Sequence, residues 1–103
     1  MATVRLIAGD DDLARIFLEG LADPASLSPI EAFRFRFLLG AFTAPITQAY
    51  NEWRLGISDE REVLERFQQS RSIFSTPGYQ WYWHDQRASY DSERREYFEA
   101  HFE

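Results

Sequence analysis

Apolar residues recur at helical spacing along most of the chain, and helix start signals punctuate them at short intervals, so the pattern predicts a series of helices joined by short turns. Leu13, Ile16, Phe17 and Leu21 form the first apolar stripe. Asp10 is suited to cap it, and Asp11 and Asp12 stand where the helix dipole favours negative charge, which predicts a helix over about 11–22. The turn Asp23-Pro24-Ala25-Ser26 stops it, because proline biases the preceding residue away from helical dihedrals.

Ser28-Pro29-Ile30-Glu31 reads as a capping box, with serine as cap, proline in the first helical position and glutamate reaching back to the cap amide; Leu27 is placed to add a hydrophobic staple. Phe33-Arg34-Phe35-Arg36-Phe37 alternates like a strand, but the capping box and the unalternated Leu38, Leu39, Ala41 and Phe42 favour helix. Two stripes result. Ile30, Phe33, Phe37 and Ala41 form one, and Phe35, Leu38, Phe42, Ile46, Ala49 and Trp53 the other, as expected of a central helix packed on several sides. Pro45 removes a backbone hydrogen bond and crowds the carbonyl of Ala41, so a kink between Gly40 and Pro45 is expected, with a true break as the alternative.

Gly56 then reads as a helix end and Ser58 as the next cap, giving a third helix over about 59–74 with Val63, Leu64, Phe67, Ile73 and Phe74 on its apolar edge. Thr76-Pro77-Gly78 opens a short aromatic helix to about His84 or Asp85. A last cap at Ser89 or Asp91 starts a charged amphipathic helix to about Phe102. The expected fold is all-α: one domain over 1–103, a compact bundle of four to five helices around a long kinked central helix over about 29–56, with 1–9 extended or disordered.

Several fragments resemble an uncharacterised family of small bacterial all-helical proteins. They are Leu13-Ala14-Arg15-Ile16, Gly20-Leu21, Asp23-Pro24 and Ser26-Leu27-Ser28-Pro29 with Glu31, then Ala49-Tyr50, Gly56-Ile57, Ser75-Thr76-Pro77-Gly78 with Trp81 and Trp83, and the terminal helix with Tyr97 and Phe98. The resemblance covers most of the chain and implies a helical fold. It carries no catalytic residues over. Some members of that family have predicted membrane segments ahead of the helical domain, which implies either a cytoplasmic protein or a soluble domain of a membrane-anchored parent. In this chain the apolar run after Met1 is too short for a signal-peptide core, and no window holds the ~18 apolar residues that begin to suggest a membrane span, so direct membrane insertion is not expected.

Composition narrows the chemistry. With no cysteine, the chain has no disulfide framework, thiolate metal site or cysteine nucleophile. Acids outnumber bases for a net charge of -6, and every base is arginine, so nucleic acid is not an expected partner even though Arg34, Arg36, Trp53 and Arg54 mix basic and aromatic character. His84 and His101 lack the spacing of a zinc motif, and adjacent His84 and Asp85 diverge by about 100° on a helix. Ser28, Ser58 and Ser89 read as caps rather than nucleophiles. Glu62 with Glu65, and Glu96 with Glu99, stand among arginines at helical spacing and read as ion-paired surface. Asp10 to Asp12 lack the spacing of a calcium loop. No catalytic residue, cofactor site or metal ligand is assigned.

The informative surplus is aromatic. Seventeen aromatic residues are many for so short a chain, because small domains bury a lower fraction of their surface. In Tyr79-Gln80-Trp81-Tyr82-Trp83-His84-Asp85, Tyr79, Tyr82 and Trp83 share one helical face and suit the core, while Trp81 points away and suits an interface. The leading expectation is a non-enzymatic protein-interaction or self-association module, a homo-oligomer or the partner of another protein, using Trp53, Trp81, Trp83, His84 and Phe102. The alternative is a small-molecule-binding regulatory domain whose pocket is lined by the Tyr79 to His84 aromatics, with Arg54 or Arg87 fixing an anionic group.

Overall fold

The structure, a computed structural model, describes residues 11–103. The Asp10 cap and the expected character of 1–9 lie outside the described residues. Within them the chain is all-α, with six α-helices: α1 (Asp11–Ala22), α2 (Pro29–Arg54), α3 (Glu60–Gln69), α4 (Arg71–Phe74), α5 (Pro77–Gln86) and α6 (Ser92–His101). Single 3-10 turns at Pro24–Ser26 and Arg87–Ser89 complete the connections.

Local chemistry sets most of the ends. Ser28 Oγ accepts from the Glu31 amide at 3.2 Å while the Glu31 carboxylate accepts from the Ser28 amide at 3.0 Å, so both halves of the capping box form. Thr76 and Asp91 cap α5 and α6 through the amides of Tyr79 and Arg94. Gly56, at φ +78, ends α2. Its amide donates to Trp53 O and that of Ile57 to Glu52 O, each at 2.9 Å, the pair of bonds that closes a Schellman turn and that favours glycine.

Two boundaries differ from expectation. Asp59, not Ser58, caps α3, accepting from the Arg61 amide at 3.0 Å, since the glycine turn spends an extra residue reversing the chain. The expected third helix over 59–74 is two helices, which raises the count from five to six. At Ser70 (φ -107, ψ 10) the backbone leaves the helical region and tightens into an i to i+3 bond with Phe67 O. Gln68 and Gln69 are exposed there, so nothing in the core holds the axis straight across the break.

α2 runs unbroken through Pro45. Two causes of helix bending meet in this stretch, the lost proline amide and the bond from Thr43 Oγ1 to Leu39 O at 2.8 Å. At 26 residues α2 is about 39 Å long, and the domain's longest dimension is 41 Å, so this helix sets its length. It packs against α1, α3 and α5. α5 comes close enough to α1 that a β-carbon on Gly78 would lie 2.2 Å from Gly20 O, so only glycine fits that crossing.

The core follows the second expected stripe of α2. Phe35, Leu38, Ile46 and Ala49 are buried, together with Ile16, Val63, Phe67, Phe74, Tyr79, Trp83 and Phe98. The first stripe does not follow expectation. Ile30, Phe33 and Phe37 are 70%, 73% and 66% exposed, because α1, α3 and α5 all pack on other sides of α2 and leave its N-terminal outer face bare.

Candidate interaction surface

The aromatic residues named from the sequence divide between the core and its edge. Trp83 and Phe102 are buried, which corrects their assignment to a surface: Trp83 lies 4.9 Å from Phe102 in an edge-on contact and 6.0 Å from Phe98 in a stacked one. These rings join Phe67, Phe74 and Tyr79 in one cluster, with Phe74 at 4.8 Å from Phe102 and Phe67 at 5.1 Å from Phe98. Aromatic rings fill volume efficiently at edge-on and offset angles, so a small domain can bury many of them.

The polar atoms of this cluster are satisfied. The Trp83 indole N–H donates to Glu99 Oε2 at 2.8 Å, and Arg87 holds the same carboxylate through two nitrogens at 2.8 and 3.3 Å. Arg87 and the indole together hold the Glu99 carboxyl below its ordinary range. Tyr79 shares a hydrogen bond of 2.9 Å with Thr43, and burial pushes its phenol up. Tyr97 donates to Glu60 Oε2 at 2.9 Å, tying α6 to the first turn of α3.

Trp81 and Trp53 are half-buried rather than bare. Trp81 stacks on Phe35 at 5.9 Å, with the Arg36 guanidinium 4.5 Å from its ring and held there by Asp85. These contacts cover part of a side chain that points away from the buried face of α5. Trp53 packs against Tyr50 and Tyr97 at 5.7 and 5.4 Å, with Arg54 at 5.4 Å. His84 is exposed on α5. His101 is packed between Phe67 and Tyr97, with Nδ1 2.7 Å from Tyr97 O. Of the five residues named for an interface, only His84 is fully open.

The arginines considered for anion binding are already paired, Arg54 with Glu93 at 2.5 Å and Arg87 with Glu99. One edge of the aromatic face of α5 opens into a depression of about 590 Å³ lined by Trp83, Phe102, Phe74, Gln80, Arg71 and Glu99. Gln80 is engaged there, donating to Phe74 O at 2.7 Å. Among the described residues no three His, Asp or Glu side chains converge as a metal-binding set. No helix among them is long and apolar enough to cross a membrane.

The feature that sequence reasoning misplaced is the bare face of α2. Ile30, Phe33 and Phe37 lie within about 60° of one another around the helix, a single apolar ridge. Arg15, Asp12 and Arg34 border it in an ion-paired strip in which Asp12 bridges the two arginines and Arg15 reaches Glu31 at 2.6 Å. This strip fastens α1 to α2 beside the ridge without covering it. Further along the same side of α2 runs a groove of about 450 Å³, lined by Gly40, Ala44, Thr47, Gln48, Asn51 and Glu52 of α2 and by Leu55 just past its end, and walled by Tyr82 and Tyr90. Leu55, 74% exposed, stands at its far end. The capping box placed this helix from sequence, but no local signal told which of its two stripes the neighbours would cover.

No family model, curated protein or solved structure matches this chain. Its functional reading therefore rests on its own geometry.

Proposed function

We propose that this domain is a non-enzymatic protein-interaction module that self-associates through the outer face of α2. The observation that carries the reading is the ridge of Ile30, Phe33 and Phe37, three large apolar side chains left about two-thirds or more exposed in a domain that buries most of its other rings. Single exposed apolar residues are ordinary, whereas a contiguous row with a polar border is the usual anatomy of an interface. The contact surface of this reading is thus on α2 and not on the tryptophans.

The test is the solution mass of the full chain over a hundredfold range of concentration, for the natural sequence and for Phe33→Glu with Phe37→Glu. The natural sequence should rise above the mass of one chain, and the doubly charged variant should stay at one chain with unchanged helicity. Equal masses for the two proteins at every concentration would sink the proposal.

A further inference from the structure

The ridge and the groove occupy one line along α2, and together they are self-complementary. Ile30, Phe33, Phe37, Gly40, Ala44, Thr47, Gln48, Asn51 and Leu55 fall within about 100° of helix circumference at the ideal angle per residue. The N-terminal half of the line is bulky and apolar. In the C-terminal half Gly40, Ala44 and Thr47 are small, and the depression lies over them. Gly40 has no internal reason to be glycine, since a β-carbon there would meet only the Tyr82 hydroxyl, at an ordinary 3.6 Å. Mid-helix glycine costs about 1 kcal/mol relative to alanine, so its retention suits a close approach from outside the subunit.

We infer that the partner is a second copy of this chain, laid antiparallel against the first about a two-fold axis near residues 38 and 39, so that each ridge enters the other's groove. This rests on the self-association reading above and adds its geometry. The pairing sets Phe33 opposite Ala44 of the partner subunit, Phe37 opposite Gly40 of the partner subunit and Ile30 opposite Thr47 of the partner subunit. Each large side chain meets a small one, as interdigitating helices require. The same operation brings the groove's Gln48 and Glu52 to the positive, N-terminal end of the partner's α2.

Area supports a dimer. Ile30, Phe33 and Phe37 together expose on the order of 400 Å² per copy, so two copies contribute about 800 Å², and the groove surface they cover carries the contact past the roughly 1,000 Å² a specific interface needs. Because one helix carries both halves of the contact, a single two-fold operation satisfies both and closes the assembly at two copies.

Since the chain has no cysteine, introduced thiols report this geometry directly. Pro29 and Gln48 are exposed and lie opposite each other across the axis, whereas two copies of either are separated by nineteen residues of helix, roughly 28 Å. Under mild oxidation a mixture of Pro29→Cys and Gln48→Cys should give a disulfide between the two variants, and neither should give one alone. A disulfide formed by Gln48→Cys with itself, or none in a mixture that still has the mass of a dimer, overturns the antiparallel pairing and leaves self-association standing. A single-chain mass for the natural sequence at every concentration overturns both. As a second probe that does not depend on cross-linking, Ala44→Trp fills the groove at an exposed position. It should weaken dimerisation by about tenfold or more while helicity is kept, and dimerisation as tight as in the natural sequence counts against the groove.

Discussion

Phenylalanines at helical spacing have opposite fates in the two halves of this molecule. Phe98 and Phe102 of the C-terminal region close over Phe67, Phe74 and Trp83 with ring centroids as close as 4.8 to 5.1 Å within that group. Phe33 and Phe37 of α2 meet solvent. The residue types are the same and the local helix is equally well capped, so the difference comes from what packs alongside. Around α6, four other helices converge on one cluster. Around the start of α2, α1 brings an ion-paired strip that lies beside the ridge, and α5 packs Trp81 on Phe35 and Arg36 away from it. Burial is thus a property of the neighbours and not of the stripe.

The sharpest way to test that contrast is to remove a ring from each side. Phe98→Ala should destabilise the domain by about 3–5 kcal/mol, because it leaves a cavity between Trp83, Phe67 and Tyr50 that the surrounding rings cannot close. In a dilute sample Phe33→Ala should change the stability of the single chain by less than about 0.5 kcal/mol. Chemical denaturation of both variants at one concentration measures the pair, and comparable losses would break the comparison.

Gly78→Ala should come next, at about 3 kcal/mol. Its β-carbon would press on Gly20 O and on Leu21 Cα at 2.6 Å, both backbone atoms that move only if α1 and α5 separate. The same measurement on Gly40→Ala provides the internal control, since that glycine has room for a methyl group.

A smaller and pH-dependent effect belongs to Glu99. Glu99→Ala should cost about 2 kcal/mol at neutral pH, because it leaves the buried Trp83 indole N–H without an acceptor and frees Arg87. The folded state lowers the pKa of this carboxyl below its usual 4.5. Its contribution is therefore present above the unfolded pKa and is lost as pH falls through the folded value. Thermal melts of the two proteins should accordingly draw closer in strong acid, where the protonated carboxyl loses its pairing with Arg87 but can still accept from the indole. A difference undiminished from neutral pH would assign the effect to the neutral hydrogen bond and packing instead of charge.

How much of this was legible beforehand depended on how local the cause is. The caps at Ser28 and Thr76, the proline positions after them and the glycine turn at Gly56 are decided within four or five residues, so they could be read directly, whereas the last cap is open between Ser89 and Asp91 in the sequence and falls to Asp91, the Ser89 hydroxyl donating to Gln86 O instead. The shared face of Tyr79, Tyr82 and Trp83 follows from helical spacing alone, and all three are buried. The break at Ser70 was not legible, because Gln68, Gln69 and Ser70 carry no strong stop signal and the interruption reflects missing lateral support. The partial cover of Trp81 was not legible for the same kind of reason. The cover it receives comes from Phe35 and Arg36, more than forty residues earlier in the chain.

By itself the sequence determined that this chain is helical, where most helices begin and end, and that it has apolar rings to spare. Those outcomes depend on backbone hydrogen bonds and dihedral preferences that act over one or two turns. Only the tertiary structure decided which of the two α2 stripes would be covered and that Trp83 and Phe102 belong to the core. Covering a helix face requires another helix to arrive there, and that arrival is set by long-range packing such as the close crossing of Gly78 over Gly20.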